Sequence, residues 1–246
     1  MKTKVIFLLW MISSFITFGQ NQKLMEEISC TPPKFTGIKS AVPMLTEEKF
    51  PTIESYLAEN AGYPVVAIQR RDQGTEVVHF MVMPNGEIAE IQIINSVSRE
   101  IDDEVIKTLI ATNGMWIPGH NNEKPVAMEK EVSVVFRIGE MSNNDFVYND
   151  FNYLSKKYFS HGAEMLFAKE RPKKALKYFD KGIILLPNET AMLALRGLTR
   201  FELGDKEGAL HDWTRIKRLG GLEGVGYIEN FLEMKGYAEM MRVTAK

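Results

Sequence analysis

The stretch EVVHFMVMPNGEIAEIQII, Glu76 to Ile94, constrains the fold more than any other. Val78, Phe80 and Val82 recur at every second position, which places them on one face of an extended strand. Asn85-Gly86 then supplies the residue pair that favours positive φ in a tight reversal, and apolar residues resume from Glu87 to about Ile94. A period of two cannot form the apolar stripe of a helix, so this stretch predicts an antiparallel hairpin with one buried face.

The flanking sequence completes a small mixed unit. SREIDDEVIKTLIATNG predicts a helix, with Ser98 or Asp102 near its start, Ile101, Val105 and Leu109 stacked at i, i+4 and i+8, and Gly114 past its end. KEVSVVFRI alternates Val132, Val134, Phe136 and Ile138 with charged or small residues and predicts a third strand. The intervening MWIPGHNNEKPV offers Trp116, His120 and two asparagines. Its small polar residues and glycine suit a turn feeding that strand, and this account is preferred to an active-site loop. Pro64 suits the first turn of a preceding helix. The order is helix, strand, strand, helix, strand.

Beyond about Asp150 the pattern changes, and apolar residues recur at three- and four-residue spacing, which predicts helices. The fold class is therefore α+β: a small domain with a three-stranded antiparallel sheet at 47–139, then an all-α domain at 148–246. The texture breaks near GEMSNNDF, Gly139 to Phe146. Residues 21–46, including CTPPKF, show little periodicity and read as a tether.

At the N-terminus, Lys2 and Lys4 precede an uncharged apolar run from Val5 to Phe18, followed by Thr17-Phe18-Gly19 as a small-x-small cleavage pattern. Residues 1–20 thus read as a secretory signal peptide, and a periplasmic or secreted location follows. The run of 14 residues falls short of the roughly 17 to 25 that a spanning helix needs. An uncleaved inner-membrane anchor is the alternative, and membrane contact is expected only in that case. Cys30 is the single cysteine, so the chain forms no internal disulfide, and it reads as an unpaired thiol rather than a lipid attachment site.

With a formal net charge of −2 and no Lys/Arg run or basic stripe interleaved with aromatics, the chain lacks a nucleic-acid binder's footprint. His79, His120, His161 and His211 are isolated, and none forms an H-E-x-x-H pair. Asp102 to Glu104 suits the first turn of a helix rather than a proton-sharing pair. RLGGLEGVG lacks the lysine and preceding strand of a phosphate loop. The fourteen methionines are scattered among apolar positions, as core packing requires. No enzyme, metal site or cofactor is expected.

Two resemblances add to this reading. Tyr63-Pro64, Ala67, Val78-x-Phe80-x-Val82, Asn85-Gly86, Asn95-Ser96, Ile101-Asp102, Val105, Leu109, Trp116-x-Pro118-Gly119, Lys124-Pro125-Val126 and Val134-x-Phe136 resemble, in order, the C-terminal domain of TonB-like proteins. The resemblance implies a domain whose last strand pairs with a short receptor segment, by strand addition at an exposed sheet edge. The implied edge residues are Glu131, Val132, Ser133, Val134, Val135, Phe136 and Arg137; Lys130, Glu131 and Arg137 equally suit edge-blunting charges. Family members transmit inner-membrane energy to outer-membrane receptors. That role needs a retained anchor and a long stiff arm, whereas this tether holds only Pro32, Pro33 and Pro43.

The helical part repeats at an offset of 34 residues, pairing Ala163 with Gly197, Phe167 with Phe201, Ala175 with Ala209, Leu176 with Leu210, Phe179 with Trp213 and Lys181 with Arg215. This resembles the tetratricopeptide repeat. The resemblance implies a concave partner-binding face of Lys157, Ser160, Glu164, Ala194, Leu198 and Glu202, with Phe167 and Phe201 either there or in the core. Two units need a cover, and Phe231, Met234, Ala238 and Met241 predict a capping helix. The expected function is a non-enzymatic protein-interaction module of the envelope. Its partners would be envelope proteins, among them an outer-membrane receptor segment; the alternative is an energy transducer anchored by residues 5–18. A dimer that covers the sheet edge with a second copy is a third reading.

Overall fold

The computed structural model describes residues 29–37, 52–142, 145–148, 150–222 and 231–245. The signal-peptide and anchor readings lie outside these residues. Among the described residues no helix is long and apolar enough to cross a membrane.

The first half contains β1 (Cys30–Thr31), β2 (Lys34–Phe35), α1 (Ile53–Asn60), α2 (Val65–Arg70), β3 (Gly74–Val82), β4 (Ile88–Asn95), α3 (Arg99–Ile110), β5 (Trp116–Ile117), β6 (Gly119–Asn121), β7 (Lys124–Val126) and β8 (Met128–Phe136). A hairpin of β9 (Gly139–Ser142) and β10 (Asp145–Tyr148) leads to the helices. These are α4 (Phe151–Ala163), a π-helical segment Glu164–Ala168, α5 (Pro172–Leu185), α6 (Thr190–Glu202), α7 (Lys206–Arg218) and α8 (Tyr237–Thr244). The α+β class is as the periodicity indicates.

The main sheet has the antiparallel order β4-β3-β8. Its hairpin turns where expected: Gly86 has φ 78°, the Gly86 amide donates to the Met83 carbonyl, and the Asn85 side chain accepts from the Glu87 amide. One face, carrying Val78, Phe80, Val82, Val132, Val134 and Phe136, packs on Leu57 of α1 and on Ile101, Val105 and Leu109 of α3. These side chains are almost wholly removed from water, each worth about 1.5–3 kcal/mol.

The Trp116 segment is structural, as the turn chemistry implies. Trp116 is buried against Phe35 and Phe80, and its indole N–H donates to Thr112 Oγ1 at 3.0 Å. Strands β6 and β7 pair around Asn122 and Glu123, whose φ values of 49° and 66° make a two-residue left-handed turn. Residues 29–37, within the segment read as a tether, are more ordered than their composition indicates. β1 pairs with β6, β2 pairs with β5, and Phe35 enters the core.

In the second half, α4–α5 and α6–α7 form two helical hairpins. In each, a glycine lies against a late aromatic: a Cβ on Gly162 would come within 2.4 Å of Phe179, and one on Gly197 within 2.4 Å of Trp213. The sequence offset pairs Gly197 with Ala163 instead. The π-helical segment Glu164–Ala168 accounts for the difference, because a π turn inserts one residue between the glycine and its aromatic in the first hairpin. The final cover is shorter than expected: α8 begins at Tyr237, and Phe231 and Met240 are buried while Met241 is 42% exposed. Successive apolar contacts from α8 follow Met240, Val243 and Tyr237, a face rotated one residue from that of Met241.

The two halves are joined through the second face of the sheet. Thr75 Oγ1 donates to the Leu185 carbonyl at 2.7 Å, and Asn95 Nδ2 donates to the Thr75 carbonyl at 2.8 Å and to the Ile184 carbonyl at 3.5 Å. The last carbonyls of α5, which have no partner within the helix, are thus satisfied by the sheet. Gly74 allows the approach, since a Cβ there would lie 2.5 Å from the Ile184 carbonyl oxygen. Substituting Gly74→Ala is expected to force β3 away from α5 and to lower unfolding free energy by about 1–3 kcal/mol in urea denaturation. An unchanged midpoint and slope would contradict this docking.

Candidate peptide-binding edge

The sheet has two edges, and they differ. On β4 the register with β3 shifts twice: His79 and Met81 face Gln92 and Ala89, and Val77 and Val78 face Asn95 and Ile93. Each shift places one extra residue on β4, and Glu90 within it has φ 51°. Such bulges twist a strand and interrupt its row of outward N–H and C=O groups. By contrast, β8 runs opposite β3 from Met128↔Val82 to Phe136↔Gly74 without a shift. Alternate residues of a regular edge strand present both backbone groups outward, which is the template an added strand needs.

The expected edge residues divide by face. Val132, Val134 and Phe136 are buried in the core, and Tyr63 packs edge-on against Phe136 at 5.3 Å. Ser133 is half-buried opposite Val77, and Val135 is 54% exposed. Glu131 is ion-paired across the domain junction: its carboxylate receives both terminal nitrogens of Arg215, one at 2.7 Å, and Arg215 also donates to Asn188 Oδ1 at 2.6 Å. The Arg137 guanidinium lies 4.5 Å from the Phe151 ring centroid, at the start of α4. Two of the charges that suited edge-blunting therefore tie the helices to the strand, and an added segment would meet β8 chiefly through its main chain.

The expected concave-face residues are dispersed. Ala194 and Leu198 are fully buried in the helical core, because α6 is covered by α5, α7 and α8 together. Ser160, Glu164 and Glu202 are exposed, with Glu164 ion-paired to Lys169 at 3.4 Å, and Lys157 is exposed. Phe167 and Phe201 are partly buried against the core. A cleft of about 360 Å³ opens instead between α4 and the start of α6, lined by Asn152, Lys156, Phe159, Ser160, Glu189 and Met192.

Two charged side chains that were not among the expected site residues, Asp212 and Glu76, are buried. Asp212 has no exposed surface and accepts from Arg196 Nη2 at 2.7 Å and Arg200 Nη1 at 2.9 Å. Burial opposes its charge, but His211, Arg196 and Arg200 beside it hold its carboxyl below the usual range. Glu76 faces the core from β3 at the same parity as Val78 and Phe80, so the charged member of that alternation was the available signal. One of its carboxyl oxygens accepts from the Val97 amide at 2.9 Å, and the other has no hydrogen-bond partner. Burial first, then the neighbouring Asp102 carboxylate, pushes the Glu76 pKa up to about 9. Among the described residues no group of three His, Cys, Asp or Glu side chains is placed to hold a metal ion.

A carboxyl raised in the folded state contributes fully below its ordinary pKa of 4.5, and that contribution is lost as pH rises toward about 9. The wild-type protein is therefore expected to fall behind Glu76→Gln as pH rises from 4 to 8, by on the order of 1–3 kcal/mol near pH 7.5. Urea denaturation of both proteins at a series of pH values measures this. A difference independent of pH would show that the Glu76 carboxyl is not held neutral.

Residues 59–138, from the end of α1 to just past β8, match the family model of the Gram-negative bacterial TonB protein C-terminal. No curated protein and no solved structure matches the chain. By that match the sheet domain is similar to the C-terminal domain of TonB proteins.

Proposed function

We propose that this protein is a non-enzymatic interaction module of the bacterial envelope. Strand β8 captures an extended peptide segment, and the attached helices dock a second protein, so that the molecule acts as an adaptor. The observation that carries this reading is the contrast between the edges: β4 is bulged at Glu90, while β8 offers nine residues in unbroken register. The family match over residues 59–138 supports the same mode, in which main-chain hydrogen bonds give affinity and alternate side chains give selectivity. The cleft between α4 and α6 supports a second docking site.

The second reading is an energy transducer of the TonB type, favoured by the same match and by the apolar run Val5 to Phe18. N-terminal sequencing of the protein extracted from cells separates them, since a chain beginning near Gln20 or Asn21 has no anchor.

The test is photocrosslinking in intact envelopes. A photoreactive side chain at Val135, 54% exposed on β8, is expected to capture an envelope protein through an extended segment. The same group at Leu210, 50% exposed on α7, serves as the control and is expected not to capture that protein. Capture of only a second copy of the chain at Val135, or equal capture at both positions, would overturn the peptide-binding role.

A further inference from the structure

The sequence has no continuous Lys/Arg run, yet helical spacing along α5 and its packing against α4 assemble a basic stripe. On α5, Lys173, Lys177 and Lys181 follow one another at i, i+4 and i+8, and Lys174 lies on the same side; all four are exposed. At 1.5 Å per residue the row is about 12 Å long. Helix α4 lies antiparallel to α5 and brings Tyr158 and His161 alongside. Lys181 Nζ lies 5.8 Å from the Tyr158 ring centroid, and the His161 and Tyr178 rings are 5.6 Å apart. Lys157, one residue before Tyr158, is also exposed.

What matters is the absence of countercharge. Among the described residues no carboxylate lies within ion-pair distance of Lys157, Lys173, Lys174, Lys177 or Lys181. The acid beside the row, Asp180, is turned to the other flank, where it meets Arg196 at 3.3 Å and Arg200 at 3.7 Å. Glu164, at the end of α4, is taken by Lys169. Asp180 and Glu164 are thus engaged elsewhere, and exposed Glu170, just before α5, forms no ion pair with the row. Five positive charges and two tyrosines remain on the outer side of the hairpin, in a chain whose formal net charge is −2.

The geometry points to this outer face of the α4–α5 hairpin as a docking surface for the headgroups of an anionic phospholipid bilayer. Three features select that partner. The surface is the outside of a helical hairpin rather than a groove, so it meets a plane better than an extended chain. The row along α5 is lysine throughout, point charges on flexible stems that suit mobile phosphates, with Arg171 outside the helix at its N-cap. Tyrosine between lysines presents an apolar ring and a polar tip, the combination that settles at a headgroup boundary. The run Val5 to Phe18, read as a signal peptide or an anchor, would bring the chain to an envelope bilayer. This contact is independent of β8 and would orient the sheet domain relative to the membrane. It also differs from the expectation that only a retained N-terminus touches lipid.

The test uses the chain from Asn21 onward, which keeps every described residue, sedimented with large unilamellar vesicles. We expect the bound fraction to be at least about tenfold higher on vesicles with 30% phosphatidylglycerol than on pure phosphatidylcholine at 50 mM NaCl. Binding should collapse at 300 mM NaCl, because exposed charges are screened over a shorter distance. The charge-reversed K173E/K177E/K181E protein should lose this binding while melting within a few degrees of wild type, since none of the three lysines holds an ion pair and only Lys181 has a ring contact, with Tyr158. K217E, at an exposed lysine of α7, should bind as wild type does. Equal sedimentation with both vesicle types, binding that survives the triple substitution, or binding to polyglutamate without binding to vesicles would each overturn the proposal, the last in favour of an acidic protein partner.

Discussion

Strand β3 is buried on both faces, and the rest of the molecule is arranged around it. Toward the first core it presents Val78, Phe80 and Val82; toward the helices it presents Thr75 and Val77, the latter fully buried. A strand covered on one side only would leave Val77 in water and the terminal carbonyls of α5 without partners. Because Thr75 and Asn95 satisfy those carbonyls, the helical hairpins sit on the sheet rather than hang from it. The Arg215 to Glu131 contact extends the same junction to β8, so the edge strand is held from above by α7 and from below by the core.

That arrangement explains which parts of the structure were legible in the sequence. The hairpin, α3 and β8 were readable because each is set by a local period or a local turn: Asn85-Gly86, the Ile101-Val105-Leu109 row, and the Val132-Val134-Phe136 alternation. The short strands at Cys30 and Lys34 were not, since two residues carry no period and their pairing partners lie 81 to 91 residues away. Distance in sequence also hid the Arg215–Glu131 pair, whose members are 84 residues apart. The helical repeat was readable as a spacing, but the π segment moved the glycine by one position, and packing of α6 on three neighbours buried Ala194 and Leu198. The lysine face was missed because its row on α5 is interrupted in sequence by apolar and aromatic residues, and its lack of countercharge depends on Asp180 turning to Arg196 and Arg200.

The candidate edge follows from a physical asymmetry rather than from any single side chain. Of its inward residues, Val132, Val134 and Phe136 serve the core, and of its charged ones, Glu131 and Arg137 serve the domain junction. What β8 retains for a partner is its backbone, with Ser133 and Val135 beside it. A protein built this way would recognise an extended segment with modest side-chain selectivity and fixed direction, as a sheet edge does. The same backbone would equally accept a second copy of the chain, so the state of the edge in the free protein is the decisive quantity.

Amide hydrogen exchange of β8 in the free protein, recorded residue by residue at a concentration where light scattering gives a monomer, measures that state. An open edge predicts alternation along Met128 to Phe136: amides that donate to β3 are protected and those that point outward exchange at rates near those of exposed loops. Uniform protection of all β8 amides would contradict the account, because it would mean that the edge is already covered and has no place for a peptide.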